Sequence, residues 1–197
     1  MAVFRLGDIT SIQLGLILAR KKADGNSPHV YKRLTLRAVE NGGINTEATE
    51  LFYSTEPLQD EYLTKTGTVI MKLFAPFNPV VITKETEDYL FPSQMVSIKP
   101  LVPILPEYLC LYLSQGFVAE CLLANYSLIA QKAVTVDSLS NLEVKVPSLK
   151  NQEKICEYYR NYNHLCRLRK ELEKEEQIMA KHIFSTLSQD KEVYGKR

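Results

Sequence analysis

LEVKVPSLKNQEKI, Leu142 to Ile155, contains the change of period that decides how this chain is organised. Leu142, Val144 and Val146 alternate with Glu143 and Lys145, the period of two expected of a strand with one buried face. Pro147 has no N–H to give a ladder, so the strand ends there. From about Leu149 the apolar residues recur at helical spacing, and they do so to about Leu187. No Gly or Pro falls between Ser148 and Val193. A helix of about 39 residues is about 60 Å long, against about 11 residues for an ordinary helix. One compact domain covers only part of such a rod, so the remainder points to a partner.

Working outward, the 197 residues suit one domain, 1–148, an extension, 149–188, and a polar tail, 189–197, expected to be flexible. With 45% hydrophobic and 24% charged residues the composition is that of a soluble globular protein. The apolar run Leu14 to Ala19 is far too short to cross a bilayer. Asp8 and the late position of Arg20 to Lys22 argue against a signal peptide. The four cysteines show no metal-site spacing and read as reduced thiols of a cytoplasmic protein. The net charge is only +1, but it is unevenly spread. Residues 1–39 carry seven Lys/Arg against two Asp/Glu, and residues 40–70 carry one against six. Such segregation can build a basic face, although folding can also re-intersperse the signs.

Along the domain, Phe4 to Ile9 reads as a short strand or turn, and Gln13 to Ala19 as a strand. Tyr31 to Val39 alternates loosely, which would set Tyr31, Arg33, Thr35 and Arg37 on one open face. Thr68 to Met71 suits a buried strand, Ala75 to Pro79 a loop, and Val80 to Thr83 and Met95 to Ile98 further strands. Pro106 to Leu123 is expected to be one helix, opened by a proline in its first turn. No phosphate-cradling glycine motif, HExxH or GxSxG is present. Only three histidines occur, so neither a catalytic site nor a cofactor site is expected.

These segments, in this order, resemble the specificity (S) subunit of type I restriction-modification systems. The likeness begins with FRLGDI at Phe4–Ile9 and continues in LTKTGTVI, Leu63–Ile70, where Thr68 stands in place of the usual Asp. YLFPSQMVSIKP, Tyr89–Pro100, and LPEYLCLYL, Leu105–Leu113, are similar to the strand and helix that follow in such proteins. Pro147, Leu149, Gln152 and Ile155 fit the Pro-x-Leu-x-x-Gln-x-x-Ile pattern that opens their long helix. The resemblance implies an α+β chain: a mixed α/β target-recognition domain followed by a coiled-coil-forming helix. It implies a non-catalytic subunit that binds duplex DNA, with methyltransferase (M) and restriction (R) subunits as partners. A typical S subunit has two such domains and two such helices, so this chain resembles half of one. A homodimer would then read two inverted half-sites across a gap. The alternative is an interaction protein that pairs with another S or M subunit and scarcely touches DNA.

Under that resemblance, Arg20, Lys21, Lys22, Tyr31, Lys32, Arg33 and Arg37 are the first candidates for DNA contact. Lysines hold phosphates, and arginines also fork onto guanine edges. Lys72 and Asn78, in and beside a loop, come second, since an amide can read adenine. Gln94 and the Gln131–Lys132 pair come third. On the helix, a heptad with Ile155, Tyr162, Arg169, Glu176 and Ile183 at a places Tyr158, Leu165, Leu172, Met179 and Thr186 at d. An antiparallel copy centred between Leu172 and Glu173 would bring Arg169 near Glu176 of the other chain. A helix lying on its own domain, with the polar seam positions in water, remains the plainer reading.

Overall fold

The computed structural model describes residues 2–23, 25, 27–40, 42–124 and 134–189. It divides into two compact units, Met1–Glu153 and Lys154–Arg197. Of the expected tail, residues 190–197 lie outside the described residues.

The N-terminal unit opens with β1 (Ala2–Arg5), one helical turn α1 (Leu6–Ile9) and β2 (Thr10–Leu14). Leu6 and Ile9 are buried, and the Thr10 hydroxyl donates to the Leu6 carbonyl at 2.7 Å, closing that turn. The strand expected over Gln13 to Ala19 is instead broken. Gly15 passes so close to the carbonyls of Phe91 and Pro92 that only a residue without Cβ fits, and the chain leaves the sheet there.

Next come β3 (His29–Arg33), the hairpin of β4 (Val39–Glu40) and β5 (Gly43–Ile44), and β6 (Glu50–Ser54). Then follow β7 (Val69–Lys72), β8 (Val80–Val81) and β9 (Met95–Pro100). Among the described residues β2, β9, β7 and β8 form one antiparallel sheet in that order. All four residues of β7 are buried, as their unbroken apolar run up to Lys72 demands. Gly67, at φ +81°, turns the chain into β7, a conformation that favours glycine. The Thr68 hydroxyl holds the turn by donating to Lys65 at 2.7 Å.

The core between this sheet and its loops gathers Leu34, Val39, Ile70, Ile82, Phe91 and Met95. A second cluster joins Leu16, Phe52 and Leu90. The single helix expected over Pro106 to Leu123 is two, α2 (Pro106–Leu113) and α3 (Gly116–Ala124). Ser114 turns its hydroxyl back onto the Cys110 carbonyl, and the Gln115 N–H bonds to Tyr112. Local bonding of that kind, followed by Gly116, ends a helix.

A short helix α4 (Val136–Ser140), capped by the Thr135 hydroxyl on the Ser138 N–H, leads into β10 (Glu143–Val146). β10 pairs antiparallel with β1, so the two ends of the unit meet. Tyr108 and Tyr112 of α2 donate to the carbonyls of Lys145 and Glu143 at 2.5 and 3.2 Å, tying α2 to that ribbon. The long helix α5 runs over Leu149–Gln189, and the Ser148 carbonyl accepts the N–H groups of Asn151 and Gln152 in its first turn. The architecture is therefore a mixed α/β unit with a long C-terminal helix. Among the described residues no helix is long and apolar enough to cross a membrane.

Candidate nucleic-acid interface

Lys21, Lys22, Lys32 and Arg33 gather on or beside one ribbon. In β3 and β6 the register sets Tyr31 opposite Phe52, Val30 opposite Tyr53, and Lys32 opposite Leu51. Alternation then gives the ribbon two faces. Phe52 is in the core and Tyr31 packs against the same cluster, its hydroxyl accepting the Leu58 N–H at 3.0 Å. Val30 and Lys32 point the other way and are exposed. This corrects the expected open face of Tyr31, Arg33, Thr35 and Arg37. A tyrosine ring on a half-buried strand takes the apolar side, and the strand ends at Arg33 with Leu34 buried in the core.

The segment after β2 runs along the end of β6. The Ala23 N–H bonds to the Tyr53 carbonyl at 2.8 Å, the Thr55 N–H bonds to Lys21 at 3.0 Å, and Lys22 bridges Ser54. Backbone bonding thus holds the exposed Arg20 and Lys22 at the Ser54 end of the ribbon. Lys21 is ion-paired with Glu56, and Arg33 with Glu50. The Lys32 ammonium lies 5.6 Å from the centre of the Tyr89 ring, a cation–π contact that limits its freedom.

A groove of about 530 Å³ lies beside this ribbon and brings together Arg33, Arg37 and Gln94, with the hydroxyls of Thr35 and Thr49. Glu47 and Glu50 share it, so the groove is mixed in charge. Arg33 Nε is buried there without a hydrogen-bond partner.

The remaining candidates are placed differently. Lys72 is the last residue of β7 and is buried; burial lowers its pKa, with Glu40 opposing that shift. Asn78 takes a positive φ of 41°, and its amide nitrogen reaches the Val39 carbonyl at 3.5 Å. Gln131 and Lys132 lie outside the described residues. Sequence reasoning overlooked Val30, Leu51 and Tyr53. For Leu51 and Tyr53 the signal was the short β-prone run Leu51-Phe52-Tyr53 between Glu50 and Ser54, within a stretch whose acidic balance drew attention away from it. Among the described residues no His, Cys, Asp and Glu side chains gather as a metal site.

In the C-terminal unit, the heptad residues from Tyr158 to Ile183 are exposed. Tyr158, Leu172 and Met179 stand at 67, 59 and 64%. Arg169 and Glu176 are exposed on the same helix, and Ile155 is half-buried.

Residues 1–178 match the sequence profile of the type I restriction modification DNA specificity domain. The chain belongs to that family. No curated protein matches it. Among solved structures, this specificity domain is similar to the HsdS subunit from Thermoanaerobacter tengcongensis. The TM-score is 0.75 at 16% identity, over 100% of this chain and 50% of that one. A chain from a structure of type I R-M complex assembly and conformational transition gives 0.66 at 16% identity, over 92% and 43%. The S subunit of a type I system from M. genitalium gives 0.50 at 16% identity, over 90% and 43%. At that identity the likeness is one of fold. The chain spans about half the length of those chains or less.

Proposed function

We propose that this chain is the sequence-specific DNA-recognition subunit of a type I restriction-modification complex, without chemistry of its own. Residues 1–148 bind duplex DNA, 149–188 dimerise and set the spacing, and 189–197 form a tail. The subunit works in the cytoplasm, where it directs a methyltransferase subunit, and a restriction subunit with it, to a bipartite site. Membership of the specificity-domain family over residues 1–178 carries this reading. The basic residues held at the β3–β6 ribbon support a site for a polyanion. The exposed apolar stripe of α5 supports a coiled coil with a second copy, antiparallel and two-fold symmetric.

Direct sequencing of modified bases in host DNA, with the gene present and deleted, tests this. Loss of methylation at one gapped palindrome is the expected result. Loss at an asymmetric gapped site would mean that the helix pairs with a different half-subunit. The same exposed stripe suits a second reading, in which the chain joins another S or M subunit and modulates it. Unchanged methylation together with tight binding to the methyltransferase would favour that.

A further inference from the structure

The outer face of the β3–β6 ribbon supplies none of the buried core, yet it is largely apolar where a solvated strand would be polar. Its two cross-strand pairs are Val30–Tyr53 and Lys32–Leu51. Val30 is 46% exposed and Leu51 is 61% exposed. The inner face has already supplied Tyr31 and Phe52 to the core. On the two strands and at their Ser54 end the acids are paired and three cations are not. Glu50 and Glu56 are taken up by Arg33 and Lys21. Arg20, Lys22 and Lys32 have no acidic partner among the described residues. Lys32 stands on the strip itself, held over Tyr89, and Lys22 lies at its end, bridged to Ser54. An apolar strip bordered by unmatched cations fits a polyanion that offers apolar groups in a groove.

Duplex DNA is such a ligand. Its major groove is about 12 Å wide and admits a two-stranded ribbon, and thymine presents its C5 methyl there. Two strands about 4.8 Å apart, with their side chains, fit that width. Resting on the DNA-recognition reading, we propose that the outer face of β3–β6 enters the major groove. There Val30 and Leu51 read thymine methyls, while Lys22 and Arg20 hold the flanking phosphates.

The test uses the full chain. Wild type, Val30→Ala, Leu51→Ala and Lys22→Ala are each selected on a random duplex library. The enriched duplex is then remade with uracil in place of each thymine, which removes only the methyl. Wild type is expected to lose about fourfold at one or two positions, the value of one buried methyl group. Leu51→Ala or Val30→Ala should show that loss already on thymine and no further loss on uracil. Lys22→Ala should weaken both duplexes alike. Thermal unfolding should stay within a few degrees of wild type for these exposed positions. If both alanine variants enrich the wild-type motif and keep its uracil sensitivity, the ribbon assignment is overturned. If they bind DNA normally but no longer bind the methyltransferase subunit, the strip is a protein contact and the assignment likewise fails. A wild type that enriches no motif at all would instead bring down the DNA-recognition reading beneath it.

Discussion

The side chain of Gln152, in the first turn of α5, caps the start of α2: its Oε1 accepts the Leu105 N–H at 2.8 Å. Its Nε2 donates to the Pro147 carbonyl at 3.0 Å, and Gln152 is fully buried. An amide can satisfy a donor and an acceptor at once, which neither a carboxylate nor an ammonium can. Gln152→Ala takes these partners from the Leu105 N–H and the Pro147 carbonyl, at a cost of about 2–3 kcal/mol. The melting temperature should fall by roughly 4–12 °C in a thermal scan. Gln152→Glu should fare no better, because its carboxylate would face the Pro147 carbonyl. A fall of under 2 °C for both would show that water replaces the amide.

Gly15→Ala should destabilise the protein by about 1–3 kcal/mol, the usual cost of forcing atoms into a packed site. Its Cβ would fall on the Pro92 and Phe91 carbonyl oxygens. The Leu16 N–H bonds to Phe91 at 3.0 Å and the Ser93 N–H to Leu16 at 2.9 Å, so the backbone cannot simply step aside. Urea unfolding measures the loss, and an unchanged midpoint would refute it.

Lys72 offers a pH-dependent test. Burial lowers its pKa, so the native state gives up this proton at a lower pH than the unfolded chain does. Below the lowered pKa both states bind the proton, and the full cost of the buried charge is present. As pH rises from there towards the ordinary lysine value of about 10.4, the unfolded state binds more protons and the cost fades. Lys72→Met should therefore be more stable than wild type at pH 7, and its advantage should shrink towards pH 10. Urea midpoints at the two pH values measure this; an advantage that grows with pH would contradict it.

The ion pairs make the basic cluster unequal. Lys21 is engaged by Glu56, whereas Lys22 has no acidic partner among the described residues. On duplex DNA, Lys22→Ala should weaken all sequences alike. It should lower the slope of log K against log salt by about 0.9 if one phosphate contact is lost. Lys21→Ala should lose less, because it also releases Glu56. Fluorescence anisotropy over a salt series distinguishes them, and a sequence-selective loss for Lys22→Ala would argue against a phosphate role.

For α5, Leu172→Asp should raise the dissociation constant of self-association at least tenfold in sedimentation equilibrium. The melting of the N-terminal unit should stay unchanged. Charge reversal tests the direction of pairing. Arg169→Glu alone should weaken the dimer, and adding Glu176→Arg should restore it if the helices run antiparallel with these residues facing. A double variant no better than the single one would require another register.

What could be read from the sequence followed the strength of local patterning. The strand at Leu142 to Val146, the buried run at Thr68 to Met71 and the helix from Leu149 each rest on a period or a composition that one segment carries alone. Gly15 was hidden because its reason is a carbonyl pair far along the chain, supplied by Phe91 and Pro92. The faces of β3 were assigned the wrong way round because charge was weighed above the burial of the Tyr31 ring. β6 went unseen because its five residues lie in an acidic stretch, and because its partner strand is separated from it by the β4–β5 hairpin. Around the β3–β6 ribbon, the basic residues could be named singly. That Lys21 and Arg33 are neutralised while Lys22 and Lys32 are not depends on Glu56 and Glu50, whose proximity only folding creates.

The pairing of β1 with β10, Ala2 opposite Val146 and Arg5 opposite Glu143, also bears on synthesis. At about 5–20 residues per second on the ribosome, β1 waits roughly 7–30 s for its only strand partner among the described residues. The stripe of Tyr158, Leu172 and Met179 is translated after that partner. The exposed apolar stripe of α5 is therefore made only after each strand described in the N-terminal unit, so β1 can find β10 before most of that stripe exists.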